Sequence, residues 1–152
     1  MANKYINIYA GNPTAGGTDG TQVSTDGANT SPITVTLDAS KSENATVKCA
    51  IRCETGYKVV GDVTIAPTGT NAAKWSVAYD STATADAAPA DSKFGTSATI
   101  SGVAAANVVF WVKATSSTDE DPSNDTTVKI QATGKIGKAY LRWSILENCN
   151  KS

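Results

Sequence analysis

Alternation of apolar and polar side chains recurs along most of the chain and predicts strands. The longest such run, residues 44–54, places four inward candidates on one face: Val47, Cys49, Ile51 and Cys53. Alternation with a period of two is the pattern of a half-buried strand. Gly61 interrupts a later run and indicates a bulge or a turn. The predicted strands are residues 33–38, 44–54, 58–65, 74–80, 97–101, 108–115 and 126–133.

These short strands are separated by turn residues, and the chain offers no credible long helix. Regular short strands of this kind predict an all-β protein built as a two-sheet sandwich. An immunoglobulin-like β-sandwich is the arrangement we expect, although the Cys–Trp–Cys spacing of antibody domains is absent. The sandwich is assigned to residues 33–136.

The N-terminal residues 1–32 are expected to form an arm and a linker. Alternation in residues 4–10 predicts a strand, which carries candidate partner contacts: Tyr5, Ile6, Ile8 and Tyr9. Residues 11–32 are rich in Gly and Thr and have almost no large apolar side chains. Such a segment buries too little apolar surface to fold alone, so it is interpreted as an extended linker.

The C-terminal residues 137–152 form an apolar tail that is denser in large side chains than the preceding segment. Its candidate interface residues are Tyr140, Leu141, Trp143 and Ile145. Uncovered groups of this kind mark a partner surface, and aromatic residues dominate many interfaces. Three alternatives stay open: an extra strand on its own sandwich, a pair with the N-terminal arm, or contact with another chain.

An acidic stretch between the last two strands is the only cluster of carboxylates: Asp119, Glu120, Asp121 and Asp125. Counted from Asp119, the sixth and twelfth positions hold Asn124 and Ile130, where a calcium loop of the EF-hand type needs Gly and Glu. We therefore expect no metal ion and interpret the stretch as the tip of a hairpin that joins the two strands. Asp, Pro, Ser and Asn are turn formers, and charges at a tip discourage aggregation.

The composition narrows the classes of function. The chain has 152 residues, 18% charged residues and a net charge of −1, and its basic residues do not cluster. Nucleic-acid binding is therefore not expected, because it needs a concentrated basic surface. No run reaches the roughly 18 apolar residues of a membrane span, and no signal-peptide pattern is present. We expect a soluble protein, made in the cytosol, without membrane contact.

Catalytic motifs are not found. The chain has no histidine, and no nucleophile elbow, P-loop or dinucleotide motif occurs. Cys49 and Cys53 are too far apart along one strand for a disulfide, so buried reduced thiols are expected. Cys149 is expected to be free. We predict no enzyme activity and no cofactor; a sugar platform at Trp111 is the remaining ligand hypothesis.

Two stretches carry a resemblance to a known family. "SPITVTLDASKSENATVKCAIRCETGYKVVGDVTI" and "FWVKATSSTDEDPSNDTTVKIQATGKI" resemble the small immunoglobulin-like virion proteins of tailed bacteriophages and prophages of Gram-positive bacteria. The opening "MANKYINIYAGNPTAGGTDGT" is similar to the start of such proteins. The resemblance implies a non-enzymatic structural protein of the virion, assembled in the host cytoplasm.

Within that family we expect a capsid decoration protein that binds the major capsid protein after assembly. The alternative is a tail-associated or adhesin-like module that binds tail protein or a host glycan. A homo-oligomer is left open. The ends of the chain, rather than the sandwich loops, are expected to hold the protein on the particle.

Overall fold

The computed structural model describes residues 5–25, 28–81, 86–118, 120–121 and 123–139. Strands dominate these residues, and the helical segments are short 3-10 turns at Ala39–Lys41, Ala72–Lys74 and Asp91–Lys93. The strands are β1 (Ile6–Ala10), β2 (Thr21–Gln22), β3 (Ser24–Thr25), β4 (Ala28–Asn29), β5 (Asn44–Cys53), β6 (Tyr57–Thr68), β7 (Trp75–Ala78), β8 (Ala98–Ser101), β9 (Val108–Thr115) and β10 (Lys129–Lys138). The all-β class predicted from the alternation is confirmed.

A five-stranded antiparallel sheet has the order β2-β1-β5-β9-β7. Its central strand β5 is the longest alternating run of the sequence, and its apolar positions form the inward face. Ile51 pairs with Ile8 of β1 on one side and with Val108 of β9 on the other. The strand predicted at residues 4–10 is therefore an integral strand of the main sheet.

A three-stranded antiparallel sheet has the order β10-β6-β8. Its register shifts between Thr133 and Lys135 of β10, opposite residues 61–63 of β6. Gly61 has a φ of +81° there, a backbone conformation that glycine adopts without strain. The bulge that Gly61 indicated in the sequence is confirmed.

The hydrophobic core lies between the two sheets, which gives a sandwich-like arrangement. Fully buried side chains from the five-stranded sheet, such as Ile51 and Phe110, belong to one cluster with Val63 and Ile65 of the three-stranded sheet. The inward face predicted for β5 is borne out, because Cys49, Ile51 and Cys53 are all buried.

No strand forms over residues 33–38, where the sequence pattern predicted one. The alternation is real, since Ile33, Val35 and Leu37 are half-buried while Thr34 and Thr36 are exposed. Among the described residues no strand pairs with this segment. Alternation indicates which side chains point toward the protein interior. A β-strand also needs a neighbouring strand that accepts and donates its backbone hydrogen bonds.

The acidic stretch does not join a hairpin. β9 belongs to the five-stranded sheet and β10 to the three-stranded sheet, so the connection crosses from one sheet to the other. It passes the turn at Ala72–Lys74, where Asn71 donates a 2.7 Å hydrogen bond to Asp125. The sequence pattern identified two consecutive strands correctly, but sequence neighbours need not pair in a sandwich.

The predicted Gly/Thr-rich linker is folded in the described residues 11–25 and 28–32. β2 extends the five-stranded sheet beside β1, and β3 and β4 form a small separate ladder. Pro13 is fully buried. The segment gains its order from packing on the sheet, which its own composition could not reveal.

Candidate functional site

The two ends of the described chain meet at one end of the sandwich. The Tyr5 and Tyr57 rings stack with centroids 4.3 Å apart, and Tyr57 is the register partner of Lys138 at the end of β10. Ala139 then donates a 2.9 Å hydrogen bond from its N–H to the carbonyl of Gly56. We call this region, formed by Tyr5, Gly56, Tyr57, Lys138 and Ala139, the terminal pole.

The candidate contacts of the N-terminal strand differ in their exposure. Ile6 and Ile8 are half-buried and pack against the core, where they pair with Cys53 and Ile51. Tyr9 is only 7% exposed, and the guanidinium carbon of Arg52 lies 3.4 Å from its ring centre. Tyr5 is half-buried at the terminal pole. Ile6, Ile8 and Tyr9 are thus used mainly within the protein itself.

The tail candidates lie outside the described residues: Tyr140, Leu141, Trp143 and Ile145. Their role in an interface stays a prediction. The structure does establish where the tail begins, because Ala139 lies at the terminal pole beside the ring stack of Tyr5 and Tyr57. Both segments predicted to contact a partner therefore start from the same end of the sandwich.

A polar network holds the Gly-rich loop on the outer face of the five-stranded sheet, the face opposite the core. Asn107 is only 3% exposed. Its side-chain N–H groups lie within hydrogen-bond distance of the Thr14 carbonyl and of the carbonyl and carboxylate of Asp19. Arg52 donates to the Asn107 side-chain oxygen at 2.6 Å and to the Asp19 carbonyl at 2.8 Å.

The carboxylate of Asp19 also accepts hydrogen bonds from the backbone N–H and the hydroxyl of Thr14, both at 2.9 Å. The bond from the Thr14 N–H, followed by that from its hydroxyl, lowers the pKa of Asp19 below its usual value. These bonds favour the charged form, so the loop is held best when Asp19 is ionised. The network of Asp19, Asn107, Arg52 and Thr14 was missed in the sequence, where only the density of turn residues hinted at it.

The outer face of β5 also carries buried residues, at positions that alternate with the core positions Cys49 and Ile51. Lys48 is 8% exposed and Ala50 is fully buried. The amine of Lys48 donates to Asp86 at 2.8 Å. Alternation correctly put these residues opposite the core, but it could not show that two loops fold over that face.

Two carboxylates of the acidic stretch between β9 and β10, those of Glu120 and Asp125, make contacts within the protein. Glu120 pairs with Lys74 at 3.1 Å and accepts from Ser117, and these contacts lower its pKa, with Lys74 as the larger cause. The hydroxyl of Thr127 and then its N–H lower the pKa of Asp125. Asp119 lies outside the described residues. Among the residues described, no three acidic or cysteine side chains group together as metal ligands; absence of an ion stays a prediction.

A hollow of about 220 Å³ opens where β7 ends beside the start of β9. Its lining includes two aromatic residues, Tyr79 and Trp111, together with Asp80 and Ser81. Ala15 of the Gly-rich loop and Pro89 of the loop after β7 complete its rim. The Trp111 named as a sugar platform in the sequence therefore lines a concave surface.

The thiols of Cys49 and Cys53 are free and buried, as the sequence predicted. Burial raises the pKa of Cys49 to about 12 and is also the main cause that raises the pKa of Cys53. A thiol is nucleophilic as the thiolate, so these side chains serve as small apolar groups of the core.

Comparison with known proteins identifies no relative: no family model, no curated protein and no solved structure matches the chain. The helical turns in the described part of the chain include none that is long and apolar enough to cross a membrane.

Proposed function

We propose that this protein is a non-enzymatic structural component of a phage virion, and specifically a decoration protein that binds the assembled capsid through its terminal pole and tail. The single observation that carries the proposal is that the first and last described residues, Tyr5 and Ala139, lie at that pole. The Tyr5–Tyr57 stack and the pairing of Tyr57 with Lys138 bring the start of β1 beside the start of the apolar tail. One surface of a capsid could then engage both.

We further propose that the sandwich has immunoglobulin-like topology. The order β1-β5-β9-β7 follows the A-B-E-D order of immunoglobulin sheets when β1, β5, β7 and β9 are taken as A, B, D and E. β6 and β10 pair as C and F would. β8 departs from the pattern, because it pairs with β6 although it follows β7 along the chain.

Attachment through the tail predicts a separation between stability and binding. Trp143→Ala should leave the melting temperature nearly unchanged and abolish cosedimentation with purified capsids of the phage or prophage that encodes the chain. The control is Ser144→Ala, which changes the polar residue next to Trp143 in the alternating pattern. This variant should cosediment with capsids like the parent. Full cosedimentation of folded Trp143→Ala would refute attachment through this side chain.

Deletion of residues 1–20 cannot test attachment, since it removes β1 and Asp19. Loss of capsid binding in such a variant would follow from loss of the sheet edge alone. Within the arm, only substitutions at the pole, such as Tyr5→Ser, address a contact with the particle.

The hollow beside β7 favours a second candidate, the tail-associated or adhesin-like module that binds a host glycan. Two aromatic side chains next to Asp80 and Ser81 offer ring faces and polar groups to one sugar residue. Glycan-array binding that is lost in Trp111→Ala, in a protein that does not bind capsids, would favour this candidate over decoration.

A further inference from the structure

The lysines of the described residues divide into two groups according to their partners. Five of them form ion pairs with carboxylates: Lys41, Lys48, Lys74, Lys93 and Lys113. The other four have no described carboxylate within ion-pair distance, and all four lie on β6 and β10: Lys58, Lys129, Lys135 and Lys138. The described lysines without an ion pair are thus confined to one pair of strands, β6 and β10.

Three of these four lysines share the outer face of the three-stranded sheet. Ile130 and Ile136 pack against the core, so their neighbours Lys129 and Lys135 face outward. Lys58 is the register partner of Gly137 and stands beside them. β10 itself contains no Asp or Glu, and its lysines are exposed.

β10 is also a strand with one unpaired edge. It ends the order β10-β6-β8, and among the described residues no strand pairs with its far side over the ten residues Lys129–Lys138. Thr68 of β6 donates its hydroxyl to the Lys129 carbonyl, which therefore faces β6. Because the backbone alternates in an antiparallel pair, the N–H and C=O of Ile130 and Ala132 face the unpaired side.

We propose that this edge of β10 is a docking site for an extended, acidic segment of a partner protein, which adds to the sheet as a further strand. The backbone groups would supply the ladder, and the unpaired lysines would select carboxylates at alternate positions of the incoming segment. The same lysines oppose pairing of β10 with β10 of a second copy, because like charges would face each other.

This docking site rests on the proposed function only for the identity of the protein that supplies the acidic segment. If the protein decorates a capsid, the acidic segment belongs to the capsid protein, and the edge lies next to the terminal pole because β10 ends at Lys138. The strand-docking site itself can be tested with the purified full chain and no particle.

The probe is a synthetic peptide of alternating Thr and Glu residues as long as β10, titrated into labelled protein and followed by amide chemical shifts. The shifts should concentrate on Ile130 and Ala132. The double variant Lys129→Glu with Lys135→Glu should bind about tenfold more weakly or worse. The matched control, Lys41→Glu with Lys93→Glu, makes the same change of net charge elsewhere and should bind like the parent.

A proline substitution at the edge of β10 distinguishes peptide binding by strand addition from binding by charge attraction alone. Ala132→Pro removes an N–H that faces outward and leaves the ladder with β6 intact, so the folded variant should lose the peptide. Equal binding by the double glutamate variant, or by folded Ala132→Pro, would overturn the proposal. A single-stranded DNA that binds as tightly as the peptide and survives Ala132→Pro would reveal a general polyanion surface and overturn it too.

The two proposals can fail separately. Loss of capsid cosedimentation in Trp143→Ala together with no peptide binding would leave decoration standing and remove the strand-docking site. Peptide binding at Ile130 and Ala132 in a protein that never cosediments with capsids would do the reverse.

Discussion

The strands β1 and β10 lie near the two ends of the described chain, and their outer edges differ in whether another strand pairs with them. The outer edge of β1 is paired with β2, and a loop fastened through Asn107, Asp19 and Arg52 packs on the neighbouring outer face of the same sheet. The outer edge of β10 has no strand beside it in the described residues and bears lysines without acidic partners.

The difference separates stability from association. A covered edge adds hydrogen bonds and buried surface to the fold, whereas an uncovered edge offers its backbone to another chain and needs charge to control which chain that is. Changes on the β1 side should therefore act on unfolding, and changes on the β10 side should act on binding with little effect on unfolding.

The largest effect is expected at Ile51, which joins β1 to the core. Ile51 is fully buried and pairs with Ile8, so Ile51→Ala should lower the free energy of unfolding by about 2–5 kcal/mol, measured by urea denaturation. Val60→Ala is the control: Val60 is 48% exposed, and the cost should stay under about 0.5 kcal/mol. A cost at Ile51 as small as that at Val60 would mean that Ile51 does not lie in the core.

The next largest effect concerns the loop that packs on this outer face beside β1. Asn107→Ala removes the hydrogen bonds that the buried Asn107 side chain makes with the Thr14 carbonyl, Asp19 and Arg52, which should cost about 1–3 kcal/mol. Amide exchange of residues 11–20 should accelerate more than that of β6. Asn124→Ala, at an exposed position, is the control. Unchanged exchange in this loop would show that the network does not hold the cover in place.

A pH dependence should mark the same cover. The pKa of Asp19 is lower in the folded state than in the unfolded state. The charge of Asp19 therefore stabilises the fold fully at pH values above the ordinary pKa of about 3.9, and this contribution is lost as the pH falls through the folded-state pKa. The melting temperature should fall on acidification, and Asp19→Asn should reduce that fall. Asp38, Glu120 and Asp125 have lowered pKa values too, so part of the fall should remain. An identical pH profile for Asp19→Asn would contradict the role of its charge.

The smallest effect on unfolding is expected at the β10 edge. Lys129→Ala and Lys135→Ala should each change the free energy of unfolding by less than about 0.5 kcal/mol, because both side chains are exposed and meet no acid among the described residues. Thermal melts at matched salt concentration check this. A large loss of stability would show that these lysines support the fold and would weaken the contrast between the two edges.

Local chemistry allowed much of this protein to be predicted from its sequence. Alternation identified β5 and the bounds of β9, placed Ile51 and Cys49 in the core, and marked the bulge at Gly61, because all of these depend on residues close together in the chain. The strand at residues 4–10 was predicted for the same reason.

The tertiary structure decided which strands pair and which faces are covered. Residues 33–38 alternate but have no strand partner in the described part of the chain, and β9 and β10 are consecutive but lie in different sheets. Asn107 reaches Thr14 and Asp19 across most of the chain length. Four of the five ion-paired lysines meet acids distant in sequence, and only Lys41 pairs locally, with Asp38. A pattern with a period of two predicts which face of a strand each residue occupies. Which segment packs on that face depends on contacts between residues distant in sequence.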